Sequence, residues 1–415
     1  MKGASLALSV KIAAAGAGFG LNLLVARLLG ASGSGAFYLS FTLVTFLATL
    51  GRLGLDNLIV KSVAANQSVH AITTIRAIFF SYLKKVTSVS VVIAIAAIAS
   101  IPLSKNALYD EQTSPWLLAI MAAAILPTAI FNSFAYATLG LKRAVEAIVY
   151  MNLLVPLLTS ALCFGLVPRM GVLGSAAAYL IAATACALVA FLRWPFKERA
   201  VLPEKDRHAV AEFWRASPQF FGVSVSQQAI LWAPTLVLAH FGSNSDVGIY
   251  SAANRTAMVV IFILVATNSV VGPRFAELYR KGDLKKLSTT ARNAAALMAI
   301  AALPVIVVIE AFAGHIMSIF GQEFSSGAPV LRIMALGLFI NISAGPVGHI
   351  LLMCGGEAEM KKIFVICAVF TVFVAPPAII AWGAIGAGSV TALSLAAQAL
   401  ISAYIVIKKY KISIF

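Results

Sequence analysis

The chain has 415 residues, 61% of them hydrophobic and only 11% charged, against about 45–50% apolar and about 25% charged for a soluble globular domain. That balance excludes an ordinary soluble enzyme, a disordered chain and a nucleic-acid binder, so nucleic acid is not expected as a partner. The net charge of +16 comes from 31 Lys+Arg against 15 Asp+Glu, and where those charges lie matters more than their sum.

In a bilayer the working unit is a helix of about 20 apolar residues. Long apolar runs separated by short polar breaks predict twelve spans, at about 5–29, 34–58, 80–104, 115–139, 144–167, 171–193, 217–241, 246–275, 288–319, 326–353, 361–382 and 385–407. The first run is too long for the core of a signal peptide and is followed by further spans, so it reads as a membrane helix. The breaks carry turn chemistry, as at Gly30-Ala31-Ser32-Gly33, Gly242-Ser243-Asn244-Ser245 and Trp382-Gly383-Ala384-Ile385-Gly386. Gly16-Ala17-Gly18-Phe19-Gly20 lies inside the first span and reads as a site of close helix packing. Cys163, Cys186, Cys354 and Cys367 all fall in apolar runs without metal-ligand spacing and read as buried small hydrophobes.

An even number of spans places both termini on one side. With the N-terminus in the cytoplasm, all the Lys and Arg fall toward that side except Arg27, Lys105, Arg169, Arg255 and Arg332, which is the inside-positive bias of membrane proteins. The expected location is a bacterial cytoplasmic (inner) membrane, crossed many times, with membrane lipids as direct partners. The longest polar stretch divides the chain into an N-lobe at 1–195, a cytoplasmic linker at 196–216 and a C-lobe at 217–415, six spans to a lobe. A shift of 212 residues superimposes Gly30 on Gly242, Tyr38 on Tyr250, Gly171 on Gly383 and Gly174 on Gly386. Equal span numbers in equal orientation imply parallel repeats about an axis along the membrane normal. The expected fold is therefore an all-α polytopic membrane protein of two related lobes.

Polar groups inside spans are costly, and each is a site hypothesis. On the second span Tyr38, Thr42, Thr45, Thr49, Arg52 and Asp56 follow one helical stripe, which fits either interhelical hydrogen bonding with an Arg52–Asp56 pair or a water-facing wall. Lys11 and Asn22 share a face of the first span, while Arg27 lies on another face near its periplasmic end. Lys11 also fits a snorkelling lysine. Gln227 and Gln228 mark the seventh span; Ser251, Asn254, Arg255 and Asn268 mark the eighth. Under the 212-residue shift Thr42 meets Asn254, Asp56 meets Asn268, and Arg52 meets Leu264. Glu310 interrupts an apolar run, where it reads as a proton carrier, a solvated group or a partner of His315. No P-loop, dinucleotide fingerprint or HExxH cluster is present, so no enzymatic activity and no cofactor is expected.

Ala26-Arg27-Leu28-Leu29-Gly30 with Gly35-Ala36-Phe37-Tyr38, then Leu53-Gly54-Leu55-Asp56, resembles the first helical hairpin of the polysaccharide flippases. These belong to the multidrug/oligosaccharidyl-lipid/polysaccharide exporter superfamily. Ile319-Phe320-Gly321-Gln322-Glu323-Phe324 with Leu331-Arg332-Ile333-Met334-Ala335-Leu336 is similar to that family's turn between the ninth and tenth helices. Members often carry Pro-Glu after the first Leu-Gly, where this chain has Ala31-Ser32. The resemblance implies two six-helix lobes around a central cavity open alternately to either side. It implies translocation of undecaprenyl-pyrophosphate-linked oligosaccharide repeat units for O-antigen, capsule or exopolysaccharide synthesis, beside the polymerase and chain-length regulator of the pathway. Lys11, Asn22, Arg27, Arg52, Asp56, Gln227, Gln228, Asn254, Arg255 and Asn268 would line the substrate cavity. Arg and Lys would face the anionic linkage, and Glu310 would serve proton or sodium coupling. The alternatives are a cation-coupled drug or metabolite antiporter of the same superfamily, and a non-transporting scaffold of an envelope assembly complex. The lipid-linked peptidoglycan precursor flippases usually carry two further helices, which this chain lacks.

Overall fold

The computed structural model describes residues 2–68, 71–104, 114–195 and 204–414. Lys105, Lys197 and Arg199, together with residues 196–203 of the predicted linker, lie outside the described residues. Two compact units divide the chain, Met1–Val225 and Ser226–Phe415. The first holds α1 (Lys2–Gly51), α2 (Asp56–Ser68), α3 (Ile72–Ser100), α4 (Pro115–Ala123), α5 (Ile125–Gly140), α6 (Ala144–Ile148), α7 (Val155–Met170), α8 (Val172–Leu192) and the first part of α9 (Glu204–Phe241). The second holds the rest of α9, α10 (Asn244–Ala257), α11 (Ile261–Arg280), α12 (Leu284–Ser318), α13 (Ala328–Ser343), α14 (Val347–Met353) and α15 (Glu357–Tyr410). No strand occurs among the described residues. This is an all-α polytopic membrane protein.

Ten helices among the described residues are long and apolar enough to cross a membrane, where the sequence predicts twelve spans. The difference lies in α1 and α15, each of which the sequence reads as two. Both are helices folded back on themselves at a glycine. In α1 the break is Gly30, at φ 68 and ψ −174. The Tyr38 hydroxyl donates across it to the Asn22 carbonyl at 3.1 Å, whereas 16 residues of straight helix would hold those groups about 24 Å apart. In α15 the break is Gly383, at φ 54 and ψ −130. Thr371 and Ser394 share a hydrogen bond of 2.8 Å across the hairpin, and Lys409 pairs with Glu359 where the two arms end. Only glycine takes such a positive φ without steric cost.

The 212-residue repeat is visible in the backbone. Gly171, between α7 and α8, has φ 56 and ψ −134, almost the angles of Gly383. Three residues on, Gly174 and Gly386 sit against a carbonyl of the preceding helix. A Cβ on Gly174 would collide with the carbonyl of Leu166 and stand 2.9 Å from the Val167 nitrogen. A Cβ on Gly386 would collide with that of Ala378 and stand 3.0 Å from the Ile379 nitrogen. Each pair of neighbours is related by the same shift of 212. The glycines of the first span behave differently. A Cβ on Gly16, Gly18 or Gly20 would meet nothing within 4 Å, so this run does not mediate the close packing expected of it; its face is open.

Two further departures have local causes. The second span ends at Gly51 rather than near residue 58, because Leu53 (φ 56) and Gly54 (φ 57) turn the chain and Asp56 starts α2. The first helix of the C-lobe starts at Glu204, inside the predicted linker. Glu204, Arg207, His208, Glu212 and Arg215 are polar residues compatible with helix, while Phe213 is buried and Trp214 donates its Nε1–H to the Ser81 hydroxyl at 3.0 Å. Lys85 lies over the Trp214 ring, its Nζ 3.7 Å from the centroid. A π-helical turn at Val149–Leu154 precedes Pro156, whose missing N–H disrupts regular α-bonding there. The four cysteines are buried and free.

Gly174→Ala and Gly386→Ala should each lower the melting temperature of the purified protein, since a carbonyl rather than a movable side chain blocks the methyl. Gly16→Ala should leave it unchanged. Equal melting of all three by differential scanning fluorimetry would contradict the glycine-contact account.

Candidate functional site

In the first unit, the second arm of α1 carries the threonine stripe, and its polar groups are consumed locally. The Thr45 hydroxyl donates to the Phe41 and Thr42 carbonyls at 3.0 Å, and Thr49 to the Thr45 carbonyl at 3.0 Å. The Thr49 hydroxyl then accepts from Arg52 Nη2 at 2.9 Å. Arg52 donates through Nε to Asp56 Oδ1 at 2.8 Å and through Nη2 to Oδ2 at 3.0 Å. The pair predicted from spacing exists, but it spans the Leu53–Gly54 turn and joins α1 to the first residue of α2 instead of lying within one helix. Arg52 is 5% and Asp56 7% exposed, and the Tyr136 ring lies 5.9 Å from the guanidinium carbon. The adjoining Tyr82 hydroxyl accepts from Ser133 at 3.3 Å. Across the turn, the Ser224 hydroxyl of α9 donates to the Gly54 carbonyl at 2.6 Å. Tyr82, Tyr136 and Ser133 were not singled out from sequence; they come from α3 and α5, and no local pattern links them to Arg52.

The other candidates of this unit are dispersed. Lys11 is half-buried on the first arm of α1, Asn22 is buried under Tyr38, and Arg27 is exposed. Lys11 makes no hydrogen bond or ion pair among the described residues.

In the second unit, Gln227 is exposed and Gln228 half-buried on α9. Asn254 and Arg255 are half-buried on α10, and Asn268 is half-buried on α11. The Oδ1 atoms of Asn254 and Asn268 are sealed from solvent without a hydrogen-bond partner among the described residues. Most buried polar atoms find a partner, so these two orphaned acceptors, one on α10 and one on α11, stand out in this unit. The residues matched to 51–55 by the repeat, 263–267, run within α11 without a break. The second unit thus has no counterpart of the Arg52 turn.

Glu310 does not meet His315. That ring packs on Phe312, with centroids 6.3 Å apart, where α12 departs from helical angles at Phe312 (φ −114, ψ 17). Arg332 of α13 approaches Glu310 instead, donating through Nε to its backbone carbonyl at 3.1 Å and lying 4.0 Å from Oε2. Glu310 Oε1 is buried without a hydrogen-bond partner among the described residues. The partner is 22 residues away, beyond the reach of spacing arguments within one helix.

A buried pair loses more when one charge is left alone than when both are replaced. Arg52→Ala or Asp56→Ala should cost about 3–5 kcal/mol, read as a large fall in melting temperature. Arg52→Met combined with Asp56→Leu should recover most of it. Additive losses in the double variant would refute the pairing.

Residues 1–279 match the family described as "Polysaccharide biosynthesis protein", and residues 221–380 match the family described as MatE. Over 174 residues the chain is 24% identical to the probable low-salt glycan biosynthesis flippase Agl15 of Haloferax volcanii, a match covering 42% of this chain and 37% of that protein's length. Among solved structures it is similar to the lipid II flippase MurJ in an inward closed conformation, with TM-score 0.76, 12% identity, and coverage of 96% of this chain and 87% of that one. It is also similar to an inward-facing multidrug resistance MATE family transporter of the MOP superfamily, with TM-score 0.73, 18% identity, and coverage of 97% and 96%. At such identities the structural likenesses establish the fold. With its family match covering well over half its length, the chain belongs to the polysaccharide biosynthesis protein family.

Proposed function

We propose that this protein flips a lipid-linked oligosaccharide across the membrane, carrying undecaprenyl-pyrophosphate-linked repeat units from the cytoplasmic to the periplasmic leaflet by alternating access. The observation that carries the reading is the family match over residues 1–279. It is supported by the relative named as a glycan biosynthesis flippase and by the likeness of fold to a lipid II flippase. The product would feed O-antigen, capsule or exopolysaccharide synthesis in a bacterial inner membrane, with both termini cytoplasmic and twelve crossings. A polymerase and a chain-length regulator would act beside it. The N-lobe, linker and C-lobe read from the sequence would be its working parts.

The candidate residues take graded roles in this proposal. Lys11, Arg27 and Arg255 would meet the pyrophosphate, because a guanidinium or ammonium suits an anionic linkage. Asn22, Gln227, Gln228, Asn254 and Asn268 would meet sugar hydroxyls, and an orphaned carboxamide oxygen accepts such a hydroxyl directly. Arg52 and Asp56 are buried and bonded to each other and to Thr49, so they would contribute only in a conformation that opens the turn. The second reading, a cation-coupled antiporter, is favoured by the MatE match over residues 221–380 and by Glu310 Oε1, which has no hydrogen-bond partner among the described residues.

Depletion of the protein in its native host should leave lipid-linked repeat units on the cytoplasmic leaflet, inaccessible to a periplasmic glycosidase. Unchanged sidedness, with loss of cation-driven efflux of a small amphiphile, would replace the flippase by the antiporter. Asn254→Leu separates function from packing. Removing an unsatisfied buried acceptor should stabilise the fold by about 1 kcal/mol or more while slowing translocation. A variant that is less stable yet fully active would remove Asn254 from the site.

A further inference from the structure

The second unit carries a basic cluster that the transport reading does not use. It forms where the two arms of α15 end. Each arm is about 26 residues, hence about 39 Å long, which exceeds the hydrocarbon thickness of about 30 Å. With Gly383 at one membrane surface, the first and last turns of α15 therefore reach the headgroup region of the other. Lys411 ends the helix in a left-handed conformation (φ 53), and the chain turns back. Ile412 and Ile414 are buried, at 0% and 1% exposure, which fixes the segment between them on α12. The Ser413 N–H donates to the Ser288 hydroxyl at 3.1 Å, and Arg292 Nη2 donates to the Ser413 hydroxyl at 3.0 Å.

This anchoring gathers cations from three helix ends. Lys285 and Arg292 lie on the α12 face that carries Ser288, at helical spacing. Lys409 and Lys411 come from the end of α15. Lys362 stands one turn beyond Glu359, the carboxylate that pairs with Lys409. All five cations are exposed; Glu359 and the Asp283 carboxylate that caps α12, which acts on Lys285 and Lys286, are the acids nearby. Lys285, Lys362 and Lys411 pair with no carboxylate among the described residues. Arg292 spends one donor on Ser413 and has five, so its fork can still take a phosphate.

We infer that this cluster is a binding site for the headgroup phosphate of an anionic phospholipid, held by Arg292 with Lys285 and Lys411 beside it. Acyl chains would lie against the apolar arms of α15, where Val369, Phe373 and Ile380 are exposed. An anionic leaflet would thereby pin the end of the second unit while its other helices work. The inference does not depend on what the protein transports.

The test titrates short-chain phosphatidylglycerol, and phosphatidylcholine as reference, into the full-length protein in a neutral detergent. The wild type should prefer phosphatidylglycerol, more weakly as salt rises. The Lys285→Gln/Arg292→Gln/Lys411→Gln variant should bind it at least about tenfold more weakly, since three interfacial cations are removed. Lys61→Gln/Lys84→Gln/Lys142→Gln, which removes equal charge from the first unit, should bind as the wild type does. Lys285→Arg/Lys411→Arg should keep the affinity, and an unchanged melting temperature of the triple Gln variant excludes loss of folding as the cause. Equal binding of both lipids, an unaffected patch variant, or an equal loss in the first-unit variant would overturn the site. Competition by inorganic phosphate at the same concentration as the lipid would also overturn it, by showing an anion site without lipid character.

Discussion

With no water in the hydrocarbon core, every backbone N–H and C=O has to be satisfied within the protein, and the rest of this structure follows from that requirement. The chain is helical because helices close their own hydrogen bonds, and where it reverses inside α1 and α15 it does so at a single glycine, with helix on both sides. Side-chain hydroxyls obey the same rule. Ser40, Thr45, Thr49 and Thr371 donate to carbonyls three or four residues back, so most of the polar content of the spans is spent on the helix that carries it. Among the carboxamides and carboxylates of the described residues, what remains unspent is informative: the acceptor oxygens of Asn254 and Asn268, and one oxygen of Glu310.

The two units share a backbone plan and differ in their polar chemistry. Gly171 and Gly383 adopt the same angles, and Gly174 and Gly386 touch equivalent carbonyls, so the repeat survives where geometry leaves no choice. Elsewhere it has drifted. Thr371 shares a hydrogen bond with Ser394, while their counterparts are Thr159, whose hydroxyl is buried without a hydrogen-bond partner among the described residues, and Ala182. Arg52 and Asp56 lock a turn in the first unit, where the second has Leu264 and Asn268 within an unbroken helix. One unit therefore holds a closed ion pair and the other open acceptors.

Much of the fold was legible in the sequence because lipid permits so few solutions. Apolar runs and glycine punctuation located the spans, and the turn glycines fell at or beside the observed reversals. The errors arose where local chemistry competed. Leu53-Gly54 ended a helix that the polar stripe appeared to continue, and the charged residues after Glu204 form helix because Phe213 and Trp214 dock on the first unit. The glycines at 16, 18 and 20 suggested packing, but a small residue signals contact only if another helix is there. The candidate site was less legible. The Arg52–Asp56 pair was readable from an i, i+4 spacing, whereas Tyr82, Tyr136 and the Arg332–Glu310 contact depend on tertiary neighbours. Burial of a single carboxamide oxygen is likewise invisible to periodicity.

The most direct measurement uses the purified protein in liposomes holding a fluorescent polyprenyl-pyrophosphate oligosaccharide, with a membrane-impermeant quencher outside. Protein-dependent exchange between leaflets, slowed by Asn254→Leu and absent from empty liposomes, is the predicted result. A quenchable fraction that stays at its starting value with active, correctly folded protein present would contradict lipid-linked oligosaccharide flipping.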